Sequence, residues 1–179
     1  GINAGYTSSR YSLSCMVIAS DNDDMQRDYA YTVSRDASKL DSAEAVGLEA
    51  AQCTVARLGA QKIKTATVPV LIDKQLASSL FGHYVGAISG GSLYRRSSFL
   101  LDKLGSQVFP EWLNIIERPH LKGGLASSNF DHEGVATKDM TIVDSGKLST
   151  YLYTSYSARK LNTVTNGHAG GIHNWIVSD

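Results

Sequence analysis

Five histidines, His83, His120, His132, His168 and His173, are the side chains best able to hold a metal or move a proton near neutral pH, so their spacing decides which chemistry is open. No two stand at a tight zinc spacing. His168 and His173 come nearest, in a glycine-rich loop (Gly167, His168, Ala169, Gly170, Gly171) that enters an apolar run. The commoner role for such a pair is to hold loop backbone. Asp131, His132 and Glu133 gather two acids and a candidate base, but neighbours in extended chain point to opposite faces. Ser89, Gly90, Gly91 and Ser92 lack the GxSxG spacing of a hydrolase elbow, and no Lys follows at the position a phosphate loop needs. Arg95, Arg96, Arg159 and Lys160 could clamp a carboxylate or phosphate, although solvated surface charge is the commoner use. The acidic run Asp21 to Asp24 has no EF-hand glycine or closing Glu and reads as a hairpin tip rather than a calcium loop.

These groups need elements to position them. Alternation at Tyr11, Leu13, Cys15, Val17 and Ala19 predicts a half-buried strand, and a second is expected at 28–34. Asp41 with Glu44 resembles a capping box opening a helix over 42–58, with Leu48, Ala51, Val55 and Leu58 at helical spacing and Gly59 as its stop. Residues 67–72 read as a buried strand. Asp73 can cap a second helix whose inner face would be Leu76, Leu80, Phe81, Tyr84, Val85 and Ile88. A helix is expected over 93–104, and short strands at 108–109 and 113–117. Asp144, Ser145 and Gly146 between apolar runs at 135–143 and 147–153 signal a hairpin. A helical turn at 156–161 and a final strand at 172–177 complete an α+β reading with a predominantly antiparallel sheet.

The chain has 179 residues, 42% hydrophobic and 19% charged, enough for one substantial core. Residues 1–179 read as one domain or part of one. Seventeen basic and seventeen acidic residues give zero net charge, so no global field draws in a polyanion, and direct nucleic-acid binding is not expected. No apolar stretch reaches the roughly 20 residues that cross a bilayer, and no basic N-terminus leads into a signal segment, which makes a cytoplasmic protein the default. Cys15 and Cys53 form no disulfide framework and read as buried small apolar residues. Gly1 in place of Met, and the apolar run Trp175, Ile176, Val177 so close to Asp179, read as a piece of a longer chain.

Three strings carry a resemblance: LFGHYVGAISGGSLYRRSSFLLDKLG from Leu80, FDHEGVATKDMTIVDSGKL from Phe130, and TSYSARKL from Thr154 with NGHAGGIHNW ending at Trp175. They resemble the PmbA/TldE branch of the TldD/PmbA (modulator of DNA gyrase) family. The resemblance implies that an N-terminal α/β domain and the last part of a C-terminal β-rich domain lie outside this sequence. In the TldD subunits of that family, a helical HExxxH motif binds zinc and its glutamate activates water. Setting Gly82 and His83 on the end of that motif places Ser78 and Ser79 where the first histidine and the glutamate would stand. A serine is a poor zinc ligand and a poor base. No Glu occurs between Glu49 and Glu111, so no small shift restores the motif.

The resemblance therefore implies a subunit with no metal or cofactor of its own, paired with a zinc-bearing TldD-type partner as a cytoplasmic heterodimeric metalloprotease. The activities implied are peptide maturation and proteolysis of small or unfolded peptides, including a microcin precursor and an antitoxin. A peptide held by its backbone along a strand edge would meet Tyr156, Arg159, Lys160 and His168. Whether this chain is itself an enzyme stays open at this stage. One alternative is an autonomous metallopeptidase using His83 with His168 or His173 and a ligand beyond Asp179. Another is a non-enzymatic module that influences gyrase by binding it or another protein.

Overall fold

The alternation in the first strand becomes a long antiparallel hairpin in the computed structural model, which describes residues 3–178 without the Lys74 side chain. β1 (Tyr11–Asp21) pairs with β2 (Asp24–Ser34) along their whole length. α1 (Ala43–Val55) lies on one face of the pair. Ser42 caps it by accepting the Ala45 N–H, one residue later than the expected Asp41. The buried stripe of α1 is Val46, Ala50 and Thr54, against Leu13, Cys15, Val17 and Ala30. Leu48 and Val55, expected inside, are exposed. Small residues won that face because a two-stranded ribbon offers a narrow contact, and Ala50 meets Ala30 there without crowding. Cys15 and Cys53 are free and half-buried.

Residues 60–73 form no regular element, and Val68, Val70 and Leu71 are exposed, so the strand expected at 67–72 is absent. Contacts group the chain as two compact units, Thr7–Val70 and Leu71–Asp179 with Gly1–Tyr6, where the sequence alone read one domain or part of one.

The second unit begins with α2 (Lys74–Ile88), capped as expected by Asp73 accepting the Gln75 N–H. Tyr84, Ala87 and Ile88 are buried, whereas Leu76 and Leu80 stay exposed near the start of the helix. Ser89 ends α2 and opens the short α3 (Gly90–Tyr94). The helix expected over 93–104 does not form: Arg96 and Asp102 take positive φ of 56° and 60°, which ends helical propagation.

The sheet of this unit has the order β5-β4-β3-β6: Lys147–Leu148, Met140–Asp144, Asn114–Glu117 and Trp175–Ser178, all pairs antiparallel. Val108 and Phe109 form no strand; both N–H groups donate to the Gly146 carbonyl at the hairpin turn. That turn is the expected Ser145-Gly146, with φ of 47° and 74° suited to a tight two-residue connection. The strands on either side of it are shorter than the apolar runs suggested. α4 (Ser155–Lys160) carries a capping box between Thr154 and Ser157. The core joins Tyr84, Ile88, Leu93, Leu113, Ile115, Ile142, Val143, Leu148 and Leu152. The fold is α+β with antiparallel sheets.

Candidate functional site

Helix α2 carries Ser78, Ser79 and His83, the residues that the resemblance sets against a catalytic zinc motif. Five residues along a regular helix turn through about 500°, so Ser78 and His83 lie about 140° apart around the axis. The Ser79 hydroxyl donates to the Leu76 carbonyl at 2.6 Å, and that of Ser78 to Gln75 at 3.4 Å, both within the helix. His83 borders an apolar cleft of about 400 Å³ with Leu80, Phe81, Tyr84, Phe99 and Phe109. Among the described residues neither a second ligand nor a carboxylate base stands with it, and Ser78, Ser79 and His83 do not fit a catalytic zinc.

The polar centre of this unit lies elsewhere. Leu113, just before β3, and Ile115 and Glu117 within it alternate onto the buried side, so the strand delivers a carboxylate to a core position. Glu117 Oε2 meets His168 Nε2 at 2.6 Å. Its Oε1 accepts the His173 backbone N–H at 2.6 Å and the Trp175 indole N–H at 3.2 Å. His173 Nδ1, buried, lies 3.4 Å from Oε1, within ion-pair distance but without hydrogen-bond geometry among the described residues. Burial alone would push the Glu117 carboxyl upward. The His168 ring, the His173 ring and the His173 N–H together outweigh burial and hold it at about 2.

Asn166 settles the proton on His168. Its Oδ1 accepts from Tyr153 N–H at 2.7 Å and its Nδ2 donates to the Tyr151 carbonyl at 2.7 Å, which fixes the amide orientation. His168 Nδ1, 2.9 Å from that Oδ1, must therefore be the N–H. A neutral His168 ring then turns a lone pair toward a carboxylate oxygen. Two acceptors at 2.6 Å require a proton between them.

The other expected residues divide by burial. Asp131 is buried and accepts backbone N–H groups of Glu133, Val135 and Ala169, so it organises the loop, while His132 is exposed. Tyr156, Arg159 and Lys160 lie exposed on α4. Lys160 sits over the Tyr156 ring at 5.6 Å, Tyr156 meets Tyr94 edge-on at 5.7 Å, and Arg95 covers Tyr94. His168 is buried against Glu117 rather than placed on that exposed surface. Sequence reasoning paired His168 with His173 but missed Glu117; its signal was an acid in phase with the apolar positions Leu113 and Ile115.

The profile of the PmbA/TldA metallopeptidase central domain matches residues 1–58, and that of the C-terminal domain matches residues 65–179. The chain belongs to the TldD/PmbA metallopeptidase family. Metalloprotease PmbA of Escherichia coli O157:H7 is 53% identical over 178 residues, covering 99% of this chain and 40% of that protein. The Metalloprotease PmbA homolog of Haemophilus influenzae is 54% identical over 177 residues, covering 99% and 39%. A crystal structure from Bacteroides thetaiotaomicron, described as a modulator of DNA gyrase, superposes with a TM-score of 0.91 at 26% identity, over 99% of this chain and 40% of the other. TldE from Thermococcus kodakarensis shares the fold, with a TM-score of 0.74 at 20% identity over 95% of this chain and 41% of the other. The chain spans about 40% of the length of the curated TldD/PmbA relatives described here. As sequence expected, it is a TldD/PmbA chain of α+β architecture. Among the described residues no helix is long and apolar enough to cross a membrane.

Proposed function

We propose that the full-length chain is the subunit of a cytoplasmic, heterodimeric TldD/PmbA-type metalloprotease that lacks a catalytic zinc, the zinc residing in a TldD-type partner. The observation that carries this reading is α2. Ser78 and Ser79, set by the resemblance against a ligand and a general base, have their hydroxyls turned to helix carbonyls, and His83 stands among apolar side chains. A subunit of this kind completes the substrate cavity and orders its partner's site through an obligate interface. Small or unfolded peptides, including a microcin precursor or an antitoxin, are its proposed substrates.

Tyr156, Arg159 and Lys160 are the proposed peptide contacts, because they are exposed and combine two cations with an aromatic face. His168 was expected among them; its burial against Glu117 assigns it to the inner cluster instead. Cleavage of an unstructured peptide by the reconstituted pair tests the reading. His83→Ala in the full-length chain is expected to leave the rate unchanged, while removing the glutamate of the partner's HExxxH abolishes it. Cleavage by this subunit alone, lost on His83→Ala, would favour the autonomous peptidase and overturn the proposal.

A further inference from the structure

We propose that Glu117, His168 and His173 form a site for one divalent transition-metal ion of the zinc class, separate from the α2 motif positions. One ligand atom from each residue lies within 4.8 Å of the other two, and all three side chains are buried. Two imidazole nitrogens and one carboxylate oxygen are a donor set that suits zinc and its first-row neighbours.

Two independent features point to an ion. His173 Nδ1 is buried, makes no hydrogen bond among the described residues and faces Glu117 Oε1 at 3.4 Å, a spacing that an ion between the two atoms would satisfy. Asn166, held by backbone groups at both ends of its amide, places a His168 proton on Nδ1, so that Nε2, which faces Glu117 Oε2 at 2.6 Å, is the nitrogen that would coordinate. Such an outer hydrogen bond fixes the ring and its tautomer, as the partners of metal-binding histidines generally do.

The dimensions are close. Tetrahedral zinc with bonds of about 2.0 Å separates its ligand atoms by roughly 3.3 Å. His173 Nδ1 and Glu117 Oε1 are 3.4 Å apart, whereas His168 Nε2 and Oε2, at 2.6 Å, would open by roughly 0.7 Å around an ion of that size. His173 also borders a cavity of about 220 Å³ lined by Ser127, Ser128, His132 and Gly171, large enough to hold water beside the loop. An ion there would fasten the loop carrying His168 and His173 to β3.

The test uses the full-length subunit without its partner, stripped by a chelator and then titrated with Zn²⁺ and Co²⁺ by calorimetry and visible absorption. The expected result is one ion per chain, with tetrahedral Co²⁺ bands, unchanged in His83→Ala and weakened at least tenfold in His173→Gln. Absence of uptake, or uptake that His83→Ala removes or His173→Gln leaves intact, overturns the site. Anomalous diffraction at the zinc edge from wild-type crystals needs no variant: a peak between Glu117 and the two rings supports the proposal, and its absence overturns it. This readout is independent of the cleavage assay, so either inference can fail without the other.

Discussion

Glu117 Oε2 and His168 Nε2, from residues 51 positions apart, meet at 2.6 Å between side chains 1% and 2% exposed. The contact ties β3 to the loop that precedes β6. Removing one charge of such a pair leaves the other buried without a counter-charge, which typically costs about 3–5 kcal/mol. Glu117→Gln, unfolded by urea in the presence of a chelator, is expected to lose stability on that scale. A change below about 1 kcal/mol would show that the contact holds no charge pair in the metal-free protein.

Two buried tyrosines predict opposite signs for one substitution. The Tyr151 hydroxyl donates to the Leu100 carbonyl at 2.5 Å and accepts the Lys103 N–H at 2.9 Å, so Tyr151→Phe strands two backbone groups and should cost about 1–3 kcal/mol. The Tyr84 hydroxyl is buried with no partner, and burial raises its pKa far above the usual phenol value. Tyr84→Phe removes an unsatisfied group and should be neutral or stabilise by about 1 kcal/mol. Thermal melts of both variants check the pair; equal losses would mean that Tyr84 finds a hydrogen-bond partner in solution.

Sequence periodicity located the elements whose pattern is local. β1, α2 with its Asp73 cap, the Ser145-Gly146 turn and α4 were all legible because strand alternation, capping side chains and turn residues act within a few positions. The helix expected over 93–104 failed because its apolar run was interrupted by left-handed residues of types that adopt several conformations, Arg96 and Asp102. The α1 face was misread because the narrow hairpin surface selected Val46, Ala50 and Thr54 over larger side chains, a tertiary preference no window reveals. The site was legible in part. The spacing of His168 and His173 was visible, but their convergence on Glu117 depends on β3 and β6 pairing across 58 residues, from Glu117 to Trp175.

The hairpin unit carries a pH prediction. Asp24 accepts the Gly59 N–H at 2.7 Å and the Gln26 amide at 2.8 Å, joining the hairpin tip to the turn after α1. The Gly59 bond first, then that of Gln26, lowers its pKa below the ordinary 3.8. A carboxylate with a lowered folded-state pKa contributes stability above its unfolded value and loses it as pH falls through the folded one. The melting-temperature difference between wild type and Asp24→Asn should be constant above about pH 5 and shrink below about pH 4. Carboxyl NMR titration gives the direct check, and an Asp24 midpoint at or above 3.8 would contradict the Gly59 contact.

The exposed end of α4 makes the sharpest demand on the proposed role. Arg159 and Lys160 sit in the last turn, where their charge also faces the negative end of the short helix, and Lys160 rests over Tyr156. If they receive a peptide carboxylate, the attraction is that of exposed charges, modest and screened by salt. Arg159→Ala with Lys160→Ala in the reconstituted pair should then raise KM severalfold for a peptide with a free C-terminal carboxylate, and much less for its amide. Because these cations are proposed to bind the peptide rather than react with it, kcat should stay within about twofold. The KM effect should fade as ionic strength rises. Equal losses for acid and amide, or a fall in kcat at unchanged KM, would remove Arg159 and Lys160 from the substrate path and make α4 a structural element.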